Sequence, residues 1–238
     1  SNACIGLSLA WLAMGRALVA GWQVGAWQCE AFGISPRFTL MRQTMKQTLG
    51  IDFGTSNTAA AVLVGGRSHL IAVEPGRTSL PTSVFFDYER KITTYGSVAN
   101  TALIDGREGR FMRALKSVLG TPLMREKRQI AYEKMTLIEV VARFLRMVRE
   151  RAETATGATF NTALSGRPVR FHSSDDARNT QAEIDLREAY MIAGFDDVAF
   201  MFEPEAAALA AGPLPKGKLG LIIDIGGPIL TRRSAYPG

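Results

Sequence analysis

The stretch from Thr48 to Leu63 constrains the fold of this chain more than any other. Leu49, Ile51 and Phe53 alternate with smaller or polar residues as in a buried strand, and Ala59 to Val64 read as a second strand. Between them Gly54-Thr55-Ser56-Asn57 makes a tight turn, so the two strands form a β-hairpin. The turn is rich in glycine and hydroxyls, and Asp52 stands just before it. Such a turn can aim backbone N–H groups and Thr or Ser hydroxyls at a phosphate without a helix behind it. Asp52 is a hard oxygen donor suited to holding Mg2+, usually through water.

Downstream the pattern continues as an α/β chain. Gly65-Gly66 makes the next turn and His69 to Val73 reads as a third strand, which gives an antiparallel meander broken at Pro75-Gly76. Lys134 to Thr156 is the clearest helix. Thr136 and Glu139 have capping-box spacing, Leu137, Ile138, Val141, Phe144, Leu145 and Val148 recur on one face, and Gly157 stops it. Phe160 to Ser165 is a short strand, after which Gly166-Arg167-Pro168-Val169 reads as a turn, with a functional cation as the second reading of Arg167. A second amphipathic helix spans Asp175 to Ala193, with Ala182, Leu186, Ala189 and Ile192 as its apolar face and Gly194 as its stop. Val198 to Phe202 then reads as a buried strand. This β-α-β order predicts a right-handed crossover onto a parallel pair. Glu203-Pro204-Glu205 opens an alanine-rich helix, where proline suits the first turn. Gly212 to Leu219 has the spacing of a Walker loop but ends in Leu, holds two prolines and precedes a strand, so it reads as an interdomain turn. Leu219 to Asp224 is an apolar strand.

Composition narrows the function classes. At 238 residues and 47% apolar content the chain holds one large or two small domains. The net charge of +6 is uneven: Arg107 to Arg151 holds 12 Lys or Arg against 5 Asp or Glu. That reads as solvated faces and loops; a basic surface for an acidic partner or for nucleotide phosphates is the sharper alternative. No nucleic-acid module accompanies it. Two cysteines and two histidines, Cys4, Cys29, His69 and His172, form no metal-ligand spacing and no disulfide framework. Ala17 to Cys29 is free of charge but too short to span a bilayer. Ser1-Asn2-Ala3 resembles a scar of tag removal. Residues 1–46 are expected to be that scar plus an extension foreign to the fold, with a genuine amphipathic N-terminal helix as the alternative.

Gly50-Ile51-Asp52-Phe53-Gly54-Thr55-Ser56-Asn57 resembles the first phosphate loop of the actin-like ATPase superfamily, and among its members the DnaK-type heat-shock chaperones, YegD-like branch. Leu80 to Phe86 resembles that family's peptide after the third strand, and Tyr95 to Ala99 its G-x-x-A segment. Arg110 to Gly120 resembles the segment carrying a cleft lysine, Gly166-Arg167-Pro168 resembles the branch signature, and Glu203 to Ala210 resembles the connecting helix. Leu219 to Gly227 resembles the second phosphate loop.

The resemblance implies an actin-like, ribonuclease H-like lobe: a mixed sheet with an antiparallel hairpin start, flanking helices and a small inserted subdomain at about 66–130. Residues 47–215 would be the first lobe and 216–238 the truncated start of the second. It implies ATP or ADP with Mg2+ as ligands. Gly54, Thr55, Ser56, Asn57, Gly226 and Gly227 would hold phosphate. Asp52 and Asp224 would organise Mg2+ and its waters, Lys116 would meet the γ-phosphate, and Glu203 would order the attacking water or Mg2+. Unfolded peptide and co-chaperones would be partners through other domains, in the cytoplasm, with neither nucleic acid nor membrane involved.

The second phosphate loop departs from the family at Pro228, which replaces a third glycine and deletes an N–H donor. The tail after it shows no strand alternation. From this and the expected absence of half the cleft, ATP binding is expected to be weak or absent, with self-association through an exposed lobe face. The rival readings are a sugar or acetate kinase-type enzyme and a non-catalytic actin-like interaction module.

Overall fold

The computed structural model describes residues 47–172, 175–211, 219–222 and 234–237. Its central sheet begins with β1 (Gln47–Phe53), β2 (Asn57–Val64) and β3 (Arg67–Leu70), an antiparallel meander. Gly65 and Gly66 close the second hairpin, both with positive φ, which its two-residue turn requires. The third strand is shorter than its apolar run. Ile71 and Val73 are buried beyond its end, and Ile71 N–H still donates to the Ala60 carbonyl at 2.9 Å. Further along β2, β4 (Ser79–Pro81) takes over the pairing at Asn57 to Ala59.

A second, three-stranded sheet follows, with β5 (Ser83–Asp87) between β6 (Thr93–Tyr95) and β7 (Gly109–Arg113). Gly96, at φ 64°, turns the chain into α1 (Ser97–Ile104), a helix that periodicity did not announce because it carries no acidic first turn and little apolar stripe. A short 3-10 turn then spans Leu115–Val118, followed by a small hairpin of β8 (Arg128–Ile130) and β9 (Glu133–Met135). Thus Lys134, expected to open the long helix, belongs to a strand instead.

That helix, α2 (Leu137–Thr156), starts at Thr136 with the reciprocal capping box and ends on Gly157 in the left-handed conformation. Its apolar face is buried as expected. Next come β10 (Phe160–Arg167), α3 (Asp176–Ile192) and β11 (Asp197–Phe202), and the sheet order is β11-β10-β1-β2-β3 with β11, β10 and β1 parallel. The expected β-α-β crossover is present. Two details differ. Ile192 is exposed at the end of α3, and β11 is an edge strand with only Val198 buried rather than a buried strand. Edge position explains its mixed pattern.

Leu49, Ile51 and Phe53 point to the face covered by α2 and α3, where the main core lies. The opposite face is narrower. There Ala59, Ala61 and Leu164 pack against Ala206 of α4 (Glu203–Ala211), small residues that let a helix lie close to the sheet. The strand expected at Leu219 to Asp224 is β12 (Leu219–Ile222). It pairs with β13 (Ser234–Pro237), so the tail, expected to lack strand character, supplies one. Residues 1–46, the 212–218 turn, and Asp224, Gly226, Gly227 and Pro228 lie outside the described residues.

Candidate active site

Because β1, β10 and β11 are parallel, their C-terminal ends share one edge of the sheet, where ligands of such sheets collect. The turn after β1 is fixed from within. Gly54 N–H donates to the Asn57 carbonyl at 3.1 Å, and a Cβ on Gly54 would lie 2.2 Å from that same oxygen, so only glycine fits. From outside, Thr82 N–H donates to the Ser56 carbonyl at 2.9 Å, and the buried Thr58 and Thr82 hydroxyls are 2.8 Å apart. The segment after β4 therefore braces the turn. Ser56 and Asn57 are exposed and Thr55 half-buried, so their polar groups face outward from a rigid base.

Asp52 is buried and pairs across the hairpin with Ala59, which places it on the α4 face of the sheet. On the other face the Tyr190 hydroxyl donates to Ser165 Oγ at 2.8 Å. Complete burial pushes the Tyr190 phenol well above its ordinary value; the Ser165 hydrogen bond opposes this, and the Asp52 carboxylate adds to it.

Lys116 was expected at the terminal phosphate and Glu203 at the attacking water. The structure brings these two together. Lys116 Nζ donates to Glu203 Oε1 at 2.6 Å, across 87 residues of sequence. The lysine side chain is 6% exposed and the glutamate 24%, so this is a largely desolvated pair that opens on the sheet edge. Glu203 sits there because β11 ends at Phe202 and α4 begins at once, with Pro204 in its first turn.

Lys116 is held by the 3-10 turn that carries it. Ala114, in the left-handed region at φ 54°, starts the turn, and the Ser117 and Thr121 hydroxyls donate to the carbonyls of Ala114 and Val118. His172 Nε2 is 2.6 Å from the Leu119 carbonyl, and since a carbonyl only accepts, that nitrogen carries the proton. Gly120 N–H donates to the buried Asp185 carboxylate at 2.9 Å. Sequence reasoning missed His172 and Asp185. Neither lies in a motif, and only the fold brings them to the turn.

Of the two readings of Arg167, a turn residue was preferred to a functional cation. It is instead the last residue of β10, paired with Glu183 and lying over the Phe202 and Phe171 rings at 4.9 and 5.5 Å. Much of the basic excess noted between Arg107 and Arg151 is likewise neutralised within the chain. Arg125 pairs with Asp185 and Glu188, Arg143 with Glu133, Arg149 with Glu153 and Arg151 with Glu74. Among the described residues no three His, Cys, Asp or Glu side chains converge as a metal cage, and no helix is long and apolar enough to cross a membrane.

A mixed sheet opening with a phosphate-type hairpin, with a Lys–Glu pair at its parallel strand ends, defines a lobe of the actin-like ATPase class. The family described as Hsp70 protein matches residues 48–230, and the chain belongs to that family. Its relatives include proteins named Chaperone protein DnaK. Those of Endomicrobium trichonymphae and Thermoplasma acidophilum are each 32% identical over 192 residues, which is 78% of this chain and 29% of the relative. That of Methanothermobacter thermautotrophicus is also 32% identical, over 78% of this chain and 30% of the relative. The chain thus spans less than a third of the length of these relatives.

Proposed function

We propose that this chain is the phosphate-binding first lobe of a DnaK-type chaperone, built to bind ATP with Mg2+. The observation that carries the reading is the Lys116–Glu203 pair at the sheet edge, because two residues singled out for one phosphate site meet there across 87 positions. The residues present suit a magnesium nucleotide. A turn too tight for a side chain at Gly54 lets backbone approach phosphate closely, and a buried carboxylate, Asp52, stands at its base. Thr55, Ser56 and Asn57 would hold phosphate oxygens through N–H and hydroxyl donors, joined by Gly226 and Gly227 from the second loop. Asp52 and Asp224 would hold waters of the magnesium ion, and that ion supplies charge neutralisation on the phosphates.

Lys116 carries the positive charge for the terminal phosphate. Lys116 is neutralised by Glu203 in the structure; with phosphate bound, Lys116 would pair with a phosphate oxygen instead and Glu203 Oε1 would be free to accept from a water. In this reading Glu203 orients the water and Lys116 stabilises charge, with no covalent role for the protein. Lobe closure, co-chaperones and unfolded peptides belong to the longer architecture of the family, with the cytoplasm as their place. Gly166-Arg167-Pro168 supports the YegD-like branch.

Pro228 removes an N–H from the second loop. Isothermal titration of this chain with Mg-ATP is therefore expected to give an affinity weaker than micromolar. Pro228→Gly is expected to tighten it by about tenfold, the lower end of what one hydrogen bond to a charged group contributes. Micromolar binding by the parent chain contradicts the role given to Pro228, and no binding of millimolar Mg-ATP by either the parent or P228G contradicts the nucleotide reading. The non-catalytic interaction module is the second reading, favoured by the same proline, and its signature is a chain that ignores Mg-ATP in both forms.

A further inference from the structure

Arg167 lies outside the site just described but touches the strand end from which Glu203 departs. It stands directly opposite Phe202 in the β10–β11 register. Its guanidinium lies 4.9 Å over the Phe202 ring and 5.5 Å over the Phe171 ring, and it pairs with Glu183 of α3. The side chain is 14% exposed, an unusual burial for an arginine at a strand end. Desolvation by burial pushes the guanidinium below its ordinary value.

Outward from Arg167 a groove of about 460 Å³ is lined by Val169, Arg170, Thr180, Glu183 and Arg187 among others. Its arginines are already committed: Arg170 to Asp176, and Arg187 to Glu183 and Asp197. A groove whose cations are all paired within the chain has little to offer an anion. The consequence of the cluster runs inward instead. Phe202 is the last residue of β11, β11 is an edge strand, and the next residue is Glu203. An edge strand has a neighbour on one side only, so its end frays unless side chains hold it. The stack over Phe202 supplies that hold.

We infer that Arg167 is a positioning residue: held by Glu183 of α3 and stacked on Phe202, it fixes where β11 turns into α4 and so keeps the Glu203 carboxylate on Lys116. The significance for hydrolysis rests on the nucleotide reading above, but the clamp itself exists without nucleotide. Arginine is required because the contact is a flat face on a ring combined with a fork toward a carboxylate, which lysine cannot reproduce.

A double-mutant cycle on the ligand-free chain tests this. Thermal unfolding midpoints are measured for the parent, Lys116→Met, Arg167→Met and the double variant, with Arg167→Lys as a second arm. Lys116 and Arg167 have no contact in the structure's ion pairs or hydrogen bonds, so independent sites give additive losses. In the parent, K116M is expected to lower the midpoint by about 5 °C. In the R167M background its cost is expected to fall to less than half of that, because the pair it breaks is already loosened. R167K keeps a charge opposite Glu183 but has no face for Phe202, so it loses most of the coupling too, and it decides the matter should R167M not fold. The 15N resonance of the Lys116 ammonium, slowed in exchange by Glu203 in the parent, is expected to vanish in both Arg167 variants. Additive midpoints, or an ammonium signal unchanged by either substitution, overturn the inference. Non-additive midpoints together with no binding of millimolar Mg-ATP by P228G remove the nucleotide reading and leave the clamp.

Discussion

Asp185→Ala is expected to lower the unfolding midpoint by about 10 °C, corresponding to roughly 3 kcal/mol in a chain of this size. Asp185 has no exposed surface, yet its carboxylate is fully used. It accepts from Gly120 N–H at 2.9 Å, from Arg125 at 2.9 Å and from Gln181 Nε2 at 2.8 Å. Removing one partner of a buried ion pair costs about 3–5 kcal/mol, and the lower end applies because Arg125 is half exposed and keeps Glu188. What water cannot rescue is the buried Gly120 N–H. Gly120 itself cannot adapt: its φ is 77° and an added Cβ would lie 2.2 Å from the Arg178 carbonyl. Asp185→Asn keeps one acceptor oxygen and is expected to lose about half as much. Circular dichroism melts check both. Loss confined to this region would also release the turn that carries Lys116, so the Lys116–Glu203 pair should weaken in D185A. Two melting curves within about 2 °C of the parent would contradict the role given to Asp185.

The second large effect is in the core beneath the phosphate turn. Phe144 is fully buried in α2, with its ring centroid 6.0 Å from Phe53 and 6.2 Å from Tyr95. Phe144→Ala removes both aromatic contacts and leaves a cavity, an expected loss of about 3–5 kcal/mol. The midpoint falls by about 10 °C or more. Phe144→Leu keeps most of the volume and is expected to cost about 1.5 kcal/mol. Because Phe53 is the residue before Gly54, the cavity opens directly behind the turn. Amide exchange should therefore speed up at Gly54 to Asn57 in F144A more than at α1, which packs on β5 and not on this cluster. Equal protection at both sites would show that the turn draws its rigidity from elsewhere.

How much of this could be read from sequence followed the range of the interactions. The first hairpin, the capping box of α2 and the β-α-β unit were legible because each is written in neighbouring residues: alternation, a Thr-to-Glu spacing, an apolar stripe ending at glycine. Lys116 and Glu203 were found through family resemblance, not through their pairing, since no local pattern links positions 87 residues apart. Arg167 was misread for the same reason. Gly166 and Pro168 beside it signal a turn, while the Phe202 and Glu183 contacts that keep it in the sheet are distant in sequence. The start of α2 was placed too early because Lys134 has no strand preference of its own; pairing with Gln129 puts it in β9. Likewise Ser234 to Pro237 became a strand by pairing with β12, not by alternation.

In the nucleotide reading, the turn after β1, the Lys116–Glu203 pair and the second loop at Asp224 surround one magnesium triphosphate. Paramagnetic broadening of backbone amides by Mn-ATP, at millimolar concentrations that populate even weak binding, addresses it most directly. Selective loss of signal is expected at Asp52 to Asn57, at Lys116, at Glu203 and at Asp224 to Gly227, reversed by excess Mg-ATP. Broadening that spares these residues, or that reaches Asp52 without Lys116, Glu203 and Asp224, would contradict it.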